Sequence, residues 1–159
     1  MWIWAAVSAV ILVILDQGTK LLALSSLKPI GSCTVIDGIL DFTFVENRGV
    51  AFGMLSGKRW IILLITVVIA AGVIWYYKSL PRTREYRPVR WSLVLILAGA
   101  VGNIIDRLFR GYVVDFFEFT FFNWPVFNVA DIYVVVGVII LMIMVLFVIK
   151  DDEKKKDEN

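Results

Sequence analysis

Four apolar stretches, each close to the length of a bilayer-spanning helix, constrain this chain more than any other feature of its sequence. They lie at about 2–24, 60–77, 91–109 and 129–149. A spanning helix needs about 20 mostly apolar residues to cross the hydrocarbon core. Composition agrees: 60% of the residues are hydrophobic and the mean hydropathy is +0.83, above the roughly half-apolar balance of a soluble domain. All six tryptophans (Trp2, Trp4, Trp60, Trp75, Trp91, Trp124) fall at or just beyond the ends of these stretches. An amphipathic indole is most stable there, at headgroup level. The sequence therefore predicts one α-helical integral membrane domain over 1–159 with four transmembrane helices.

Basic residues set the expected orientation. The link between the second and third stretches carries Lys78, Arg82, Arg84, Arg87 and Arg90 against Glu85. The tail at about 150–159 holds further lysines, largely balanced by acids. Cytoplasmic loops retain excess Lys and Arg, so both termini are expected in the cytoplasm, with 25–59 and 110–128 on the outer side. The first stretch has no basic residue ahead of it, and Asp16, Gln17 and Lys20 interrupt its far end. Ala23-Leu24-Ser25 is a weak match to a cleavage site, so a retained helix is favoured over a removed leader. Residues 33–45 alternate partly around Asp37-Gly38 and predict a short hairpin or small sheet at the membrane surface. Met54 to Trp60 predicts a short interfacial helix.

Composition also limits the chemistry. There is no histidine and one cysteine, Cys33, which excludes a disulfide within the chain, a Cys/His zinc site and every histidine-based triad. No metal or cofactor is expected. The net charge of +2 gives no reason to expect a nucleic-acid partner. Cys33 has no histidine to activate it, and a lone cysteine in an apolar setting is ordinarily packing. Any catalysis must then use carboxylates, hydroxyls, amides, lysine or that single thiol, and a carboxylate pair is the most plausible hydrolytic equipment among them.

Ionisable residues inside spanning helices are costly and face protein or water. Asp16, Gln17 and Lys20 lie near the outer end of the first span, and Asn103, Asp106 and Arg107 near that of the third. Asp131, preceded by Asn128, opens the fourth. The i, i+4 spacing of Asp16 and Lys20 suits a salt bridge. Asp106 and Arg107 have a structural reading as a partly buried ion pair, whereas Arg107 alone is a candidate for gripping a substrate carbonyl or headgroup. Gly99, Gly102, Asn103 and Asp106 share one helix face and suit a close helix contact. Asp115 sits in Val113-Val114-Asp115-Phe116-Phe117 with no basic neighbour. The link from it to Asp131 contains proline and is expected to fold back and bring the two carboxylates together. Two carboxylates in one poorly solvated pocket do not both ionise easily, which makes a coupled acid and base from identical side chains. Asp131 also has a purely structural reading, as a helix N-terminal acid favoured by the dipole.

Five short motifs recur in order: Asp16-Gln17-Gly18-Thr19-Lys20; Asn47-Arg48-Gly49-Val50-Ala51-Phe52-Gly53; Gly99-Ala100-Val101-Gly102-Asn103-Ile104-Ile105-Asp106-Arg107; Val113-Val114-Asp115-Phe116; and Phe127-Asn128-Val129-Ala130-Asp131. In this order the chain resembles lipoprotein signal peptidase, or signal peptidase II. The resemblance implies four transmembrane helices, a small extracytoplasmic β-cradle at about 25–53 and a short amphipathic interfacial helix. It implies a multi-pass protein of the bacterial cytoplasmic membrane with its site near the outer face. The implied activity is aspartyl endopeptidase cleavage of prolipoproteins just before a diacylglyceryl-modified cysteine, with sensitivity to the cyclic peptide globomycin. By motif match Asp115 and Asp131 are the catalytic pair, Asn47, Asn103, Arg107 and Asn128 bind substrate, and Asp16, Lys20 and Asp106 give structural support. Without the resemblance, the segment around Asn47 also reads as a glycine turn. Two other readings compete. One is a small transporter subunit or assembly factor whose buried acids conduct protons or bind helices. The other is a protease cutting within the bilayer, which would place its carboxylates near mid-membrane.

Overall fold

The computed structural model describes residues 2–50 and 54–146. Motif residues 51–53 and the charged tail lie outside them, as does the end of the expected fourth span. Helix α1 (Trp2–Leu22) leads through a π-helical turn at Ala23–Leu27 into a hairpin of β1 (Ser32–Ile36) and β2 (Leu40–Asn47). Helices α2 (Arg59–Ser79) and α3 (Arg87–Phe109) follow, then β3 (Val113–Phe119) and α4 (Val129–Met144). Three helices, α1 with its π turn, α2 and α3, are long and apolar enough to cross a membrane, and α4 is a shorter apolar helix within the described residues.

On α1 the burial pattern inverts that of a helix in a soluble bundle. Within α1 the buried residues are Asp16 and Lys20, while Ile3, Val10, Ile11, Ile14 and Leu15 face outward. Aliphatic surface is stable against lipid tails, so the inward face of α1 is left to paired polar groups, while α3 still buries Val89, Leu93, Val94 and Ile96 inside the bundle. α3 is the central helix. It packs against α1, α2 and α4, and small residues permit the closest approaches. A methyl group added at Gly99 would run into the Ala130 carbonyl and lie 2.7 Å from Val134 Cγ2; one at Gly137 would lie 2.7 Å from the Ser92 carbonyl.

The outer-side expectation of a hairpin is met but incomplete. β1, β2 and β3 form one antiparallel sheet in that order, so the strand that carries Asp115 is its third member. Val113–Phe119 reads as an unbroken apolar and aromatic run with two acids, without the clean alternation that marks a strand. Gly111, at φ 85°, ends α3 and turns the chain into β3. A register shift between Phe42 and Val45 places Val45 opposite Asp115 and Asn47 opposite Val113. The expected short helix at 54–60 is corrected by the structure: 54–57 form turns, and Arg59 and Trp60 already belong to α2. Leu55 and Gly57 adopt positive φ there, which breaks the helical path. Cys33 is exposed on β1 instead of packed, because the whole of that edge strand is exposed.

Candidate active site

Asp115 and Asp131 come together because the link between them folds back. Phe117 and Phe127 form an antiparallel bridge, with the Phe127 amide donating to the Phe117 carbonyl at 3.0 Å and the Phe117 amide returning at 2.8 Å. Ring contacts among Phe117, Phe119 and Phe127 cover that bridge. The next residue, Asn128, therefore arrives beside β3. It caps α4, its side-chain oxygen accepting from the Asp131 amide at 3.1 Å while the Asp131 carboxylate accepts from the Asn128 amide at 3.1 Å. Its side-chain nitrogen donates to Asp115 Oδ1 at 2.6 Å. One asparagine thus ties the two aspartates together. The structural reading of Asp131 as a helix N-terminal acid is realised in this capping box.

Each carboxylate is held by amides whose orientation an obligate donor fixes. Asn47 Nδ2 donates to Asp115 Oδ2 at 2.8 Å, and its oxygen accepts from the Gly49 amide at 2.9 Å. Asn103 Nδ2 donates to Asp131 Oδ1 at 2.9 Å, and its oxygen accepts from Lys20 Nζ at 2.9 Å. A backbone N–H or an ammonium only donates, so the opposite, NH2 side of each amide must face the carboxylate.

The two environments differ. Asp115 is 1% exposed, whereas Asp131 is half-buried. Burial, reinforced by the Asp131 charge, raises the Asp115 pKa to about 7 against the opposing hydrogen bonds from Asn47 and Asn128. One of two identical side chains is therefore disposed to keep its proton near neutrality.

Behind the pair lies a fully buried charge cluster. Lys20 Nζ is 2.9 Å from Asp16 Oδ2 and 3.1 Å from Asp106 Oδ2, so the expected i, i+4 bridge is present. Asp106 also pairs with Arg110. The ion pair weighed for Asp106 and Arg107 is corrected: the partners of Asp106 are Lys20 and Arg110, and the Arg107 guanidinium donates to the Gly49 carbonyl at 2.8 Å. Adjacent helical residues point about 100° apart, whereas i and i+4 share a face, a spacing by which the sequence could have revealed Arg110. Arg107 does grip a carbonyl, but one belonging to this chain. Gln17, not assigned a role from sequence, donates to the Gly102 carbonyl at 3.2 Å and accepts from Arg110 at 3.0 Å. Asp16 accepts from the Ala130 amide at 3.0 Å and Asp106 from the Val114 amide at 3.1 Å. These bonds reach from the cluster to the residue before Asp131 and to the residue before Asp115.

A family model described as signal peptidase (SPase) II, peptidase family A8, matches residues 8–147. The chain belongs to that family. A lipoprotein signal peptidase of Caldanaerobacter subterraneus subsp. tengcongensis is 48% identical, over 90% of this chain and 96% of the relative. Another from Halalkalibacterium halodurans is 40% identical over 94% of each. A bacterial membrane enzyme solved by the in meso method at 2.3 Å resolution superposes with a TM-score of 0.83 at 35% identity, covering 95% of this chain and 90% of that one. Membership of this signal peptidase II family, with the apolar helices, makes the chain a membrane protein of a protease family.

Proposed function

We propose that the protein removes signal peptides from prolipoproteins as an aspartyl endopeptidase, cutting on the N-terminal side of a diacylglyceryl-modified cysteine. The observation that carries this reading is the pair itself: a buried Asp115 with a pKa near 7 beside a more accessible Asp131, joined through Asn128. Family membership supplies the substrate class.

In this reading Asp131 is the resting carboxylate and Asp115 the resting acid. Asn47 and Asn128 each occupy one lone-pair direction of Asp115, which leaves other directions for its proton, and the mechanism requires that one of them meet the reacting carbonyl. Asp131 takes a proton from water as that water attacks the scissile carbonyl carbon. Asp115 donates to the carbonyl oxygen as it gains charge. Collapse of the tetrahedral gem-diol breaks the C–N bond: the proton held on Asp131 passes to the leaving nitrogen, and one hydroxyl of the gem-diol returns its proton to Asp115 as the new carboxyl C=O forms. Asn103 holds Asp131 in place, and Arg107 holds the backbone at Gly49, two residues after Asn47.

The wider setting follows from the same reading. α4 completes four transmembrane helices in the bacterial cytoplasmic membrane. The Arg-rich link between α2 and α3 and both termini lie in the cytoplasm, and the sheet lies at the outer face. A lipidated signal peptide is itself a membrane helix, so its scissile bond arrives at the depth where α1, α3 and α4 carry their polar ends. Globomycin would compete there.

The deciding experiment incubates purified protein in liposomes with a prolipoprotein in diacylglyceryl-modified and unmodified forms. Cleavage is expected for the modified form alone. Asp115→Asn and Asp131→Asn are each expected to lower turnover by at least a thousandfold while the protein stays folded. Full activity in both variants would sink the assignment. Equal cleavage of both substrate forms would remove the lipid requirement.

A further inference from the structure

The end of the bundle opposite the carboxylates holds a feature that peptide cleavage leaves unused. α1 and α2 each pack on α3, and Trp2 meets Tyr77 edge-on at 4.9 Å between ring centroids. Beside that contact the surface opens into two adjoining grooves. One, of about 290 Å³, runs between Trp4, Tyr77 and Trp91 and reaches Arg87 and Arg90. The other, of about 180 Å³, continues over Val73, Leu93 and Leu97, sharing Ala5, Tyr77 and Val94 with the first. Volumes of this order suit a narrow flexible chain and not a helix, which is about 10 Å across with its side chains.

The polar end of the groove is cationic. Arg87 is exposed, and the adjoining link adds Lys78, Arg82 and Arg84 against the single acid Glu85. Arg90 is 6% exposed. Its Nη2 donates to the Leu80 and Pro81 carbonyls at 2.7 Å each, and its guanidinium lies 5.2 Å from the Tyr77 ring centroid. Its Nε–H has no acceptor among the described residues, although buried donors are ordinarily paired. Topology alone explains basic residues in a solvent-facing link. It does not explain a buried arginine, its Nε–H buried and unpaired, among the residues that line an apolar groove flanked by tryptophans.

We infer that this groove binds an anionic phospholipid, its phosphodiester against Arg87 and Arg90 and one acyl chain lying over Ala5 and Val94. A planar guanidinium matches a phosphodiester in charge and geometry, and basic pockets between transmembrane helices are suited to such headgroups. A zwitterionic lipid fills the groove equally well but adds a positive charge to an already cationic rim.

The test uses the full chain in zwitterionic detergent. Retention of phosphatidylglycerol, of phosphatidylcholine with the same acyl chains and of glycerol phosphate is measured by native mass spectrometry, and thermal unfolding is followed in parallel. Phosphatidylglycerol is expected to be retained and to raise the Tm by several degrees, while the other two have little effect. Arg87→Gln, at an exposed site, and Ala5→Phe, which fills the groove, are each expected to weaken phosphatidylglycerol retention at least tenfold. Equal retention of the two lipids, or unchanged retention in both variants, would overturn the inference. Glycerol phosphate matching the lipid would overturn it as well, marking a free-anion site. Should a variant unfold, salt dependence of retention by the unaltered chain decides: retention is expected to fall with added NaCl, and salt-independent retention would count against the site.

Discussion

At the residue scale the site is a problem of proton placement. Asp115 differs from Asp131 in exposure, not in chemistry, and burial is the largest cause of its raised pKa. A raised carboxyl pKa has a definite sign. The proton that free Asp115 would lose near its ordinary 3.8 is kept up to about 7, so the folded state binds more protons than the unfolded one between those values, and stability falls as pH rises through that window. Because the proposed mechanism needs that proton, turnover is expected to decline as pH rises through about 7. The hydrogen bond from Asn47 favours the charged form. Asn47→Ala is therefore expected to move the alkaline limb of the pH–rate profile upward while lowering kcat. A limb that stays put or moves downward would show that Asn47 acts on substrate and not on Asp115. The sequence singles out both aspartates as candidates, by eliminating other chemistry and by motif order. It gives no sign that Asn47 and Asn128 both turn onto Asp115, since an asparagine beside a glycine turn and one before a helix carry no mark of a shared partner.

At the scale of elements, what was legible is what depends on local pattern. The apolar lengths of α1, α2 and α3, the tryptophans at their ends and the hairpin around Asp37-Gly38 follow from residue runs and turn chemistry. β3 was not legible, because Val113–Phe119 becomes a strand by pairing with β2, a partner some 70 residues away in the chain. Nor was the turn at 54–57, whose positive φ at Leu55 is set by surroundings and not by a leucine's preference. The small-residue face of α3 was legible, and its purpose is now specific. Gly99 lies under the Ala130 carbonyl, one residue before Asp131. Gly99→Ala is expected to push the start of α4 away from α3, costing about 1–3 kcal/mol as overpacking does and lowering turnover at least tenfold. Gly72→Ala on α2, where an added methyl meets nothing within 4 Å, serves as the control and is expected to leave turnover unchanged and stability unchanged or slightly raised, since alanine is the better helix former. Thermal unfolding in detergent and the cleavage assay read the two effects. Similar losses in both variants would show general helix sensitivity instead of a specific approach.

At the scale of the molecule, the buried charges join separate elements into one scaffold for the carboxylates. Lys20 on α1 pairs with Asp16 and Asp106 and donates to Asn103. Asp16 accepts from the Ala130 amide on α4, and Asp106 from the Val114 amide on β3. Removing one partner of a buried ion pair leaves an uncompensated charge and costs about 3–5 kcal/mol, whereas removing a balanced set costs far less. Lys20→Met leaves Asp16 and Asp106 with Arg110 as the remaining cation among the charges that contact this cluster, and is expected to destabilise by that order. Adding Asp16→Asn restores the balance, since Asp106 keeps Arg110, and is expected to recover a good part of the lost stability. Activity should recover less than stability, because Asn103 has still lost the ammonium that orients it toward Asp131. Urea or thermal unfolding of the single and double variants, with the cleavage assay alongside, separates the two quantities. A double variant no more stable than Lys20→Met would mean that Lys20 acts by packing and hydrogen bonding, not by charge balance. Parallel recovery of stability and turnover would mean that Asn103 is held by the surrounding helices without Lys20.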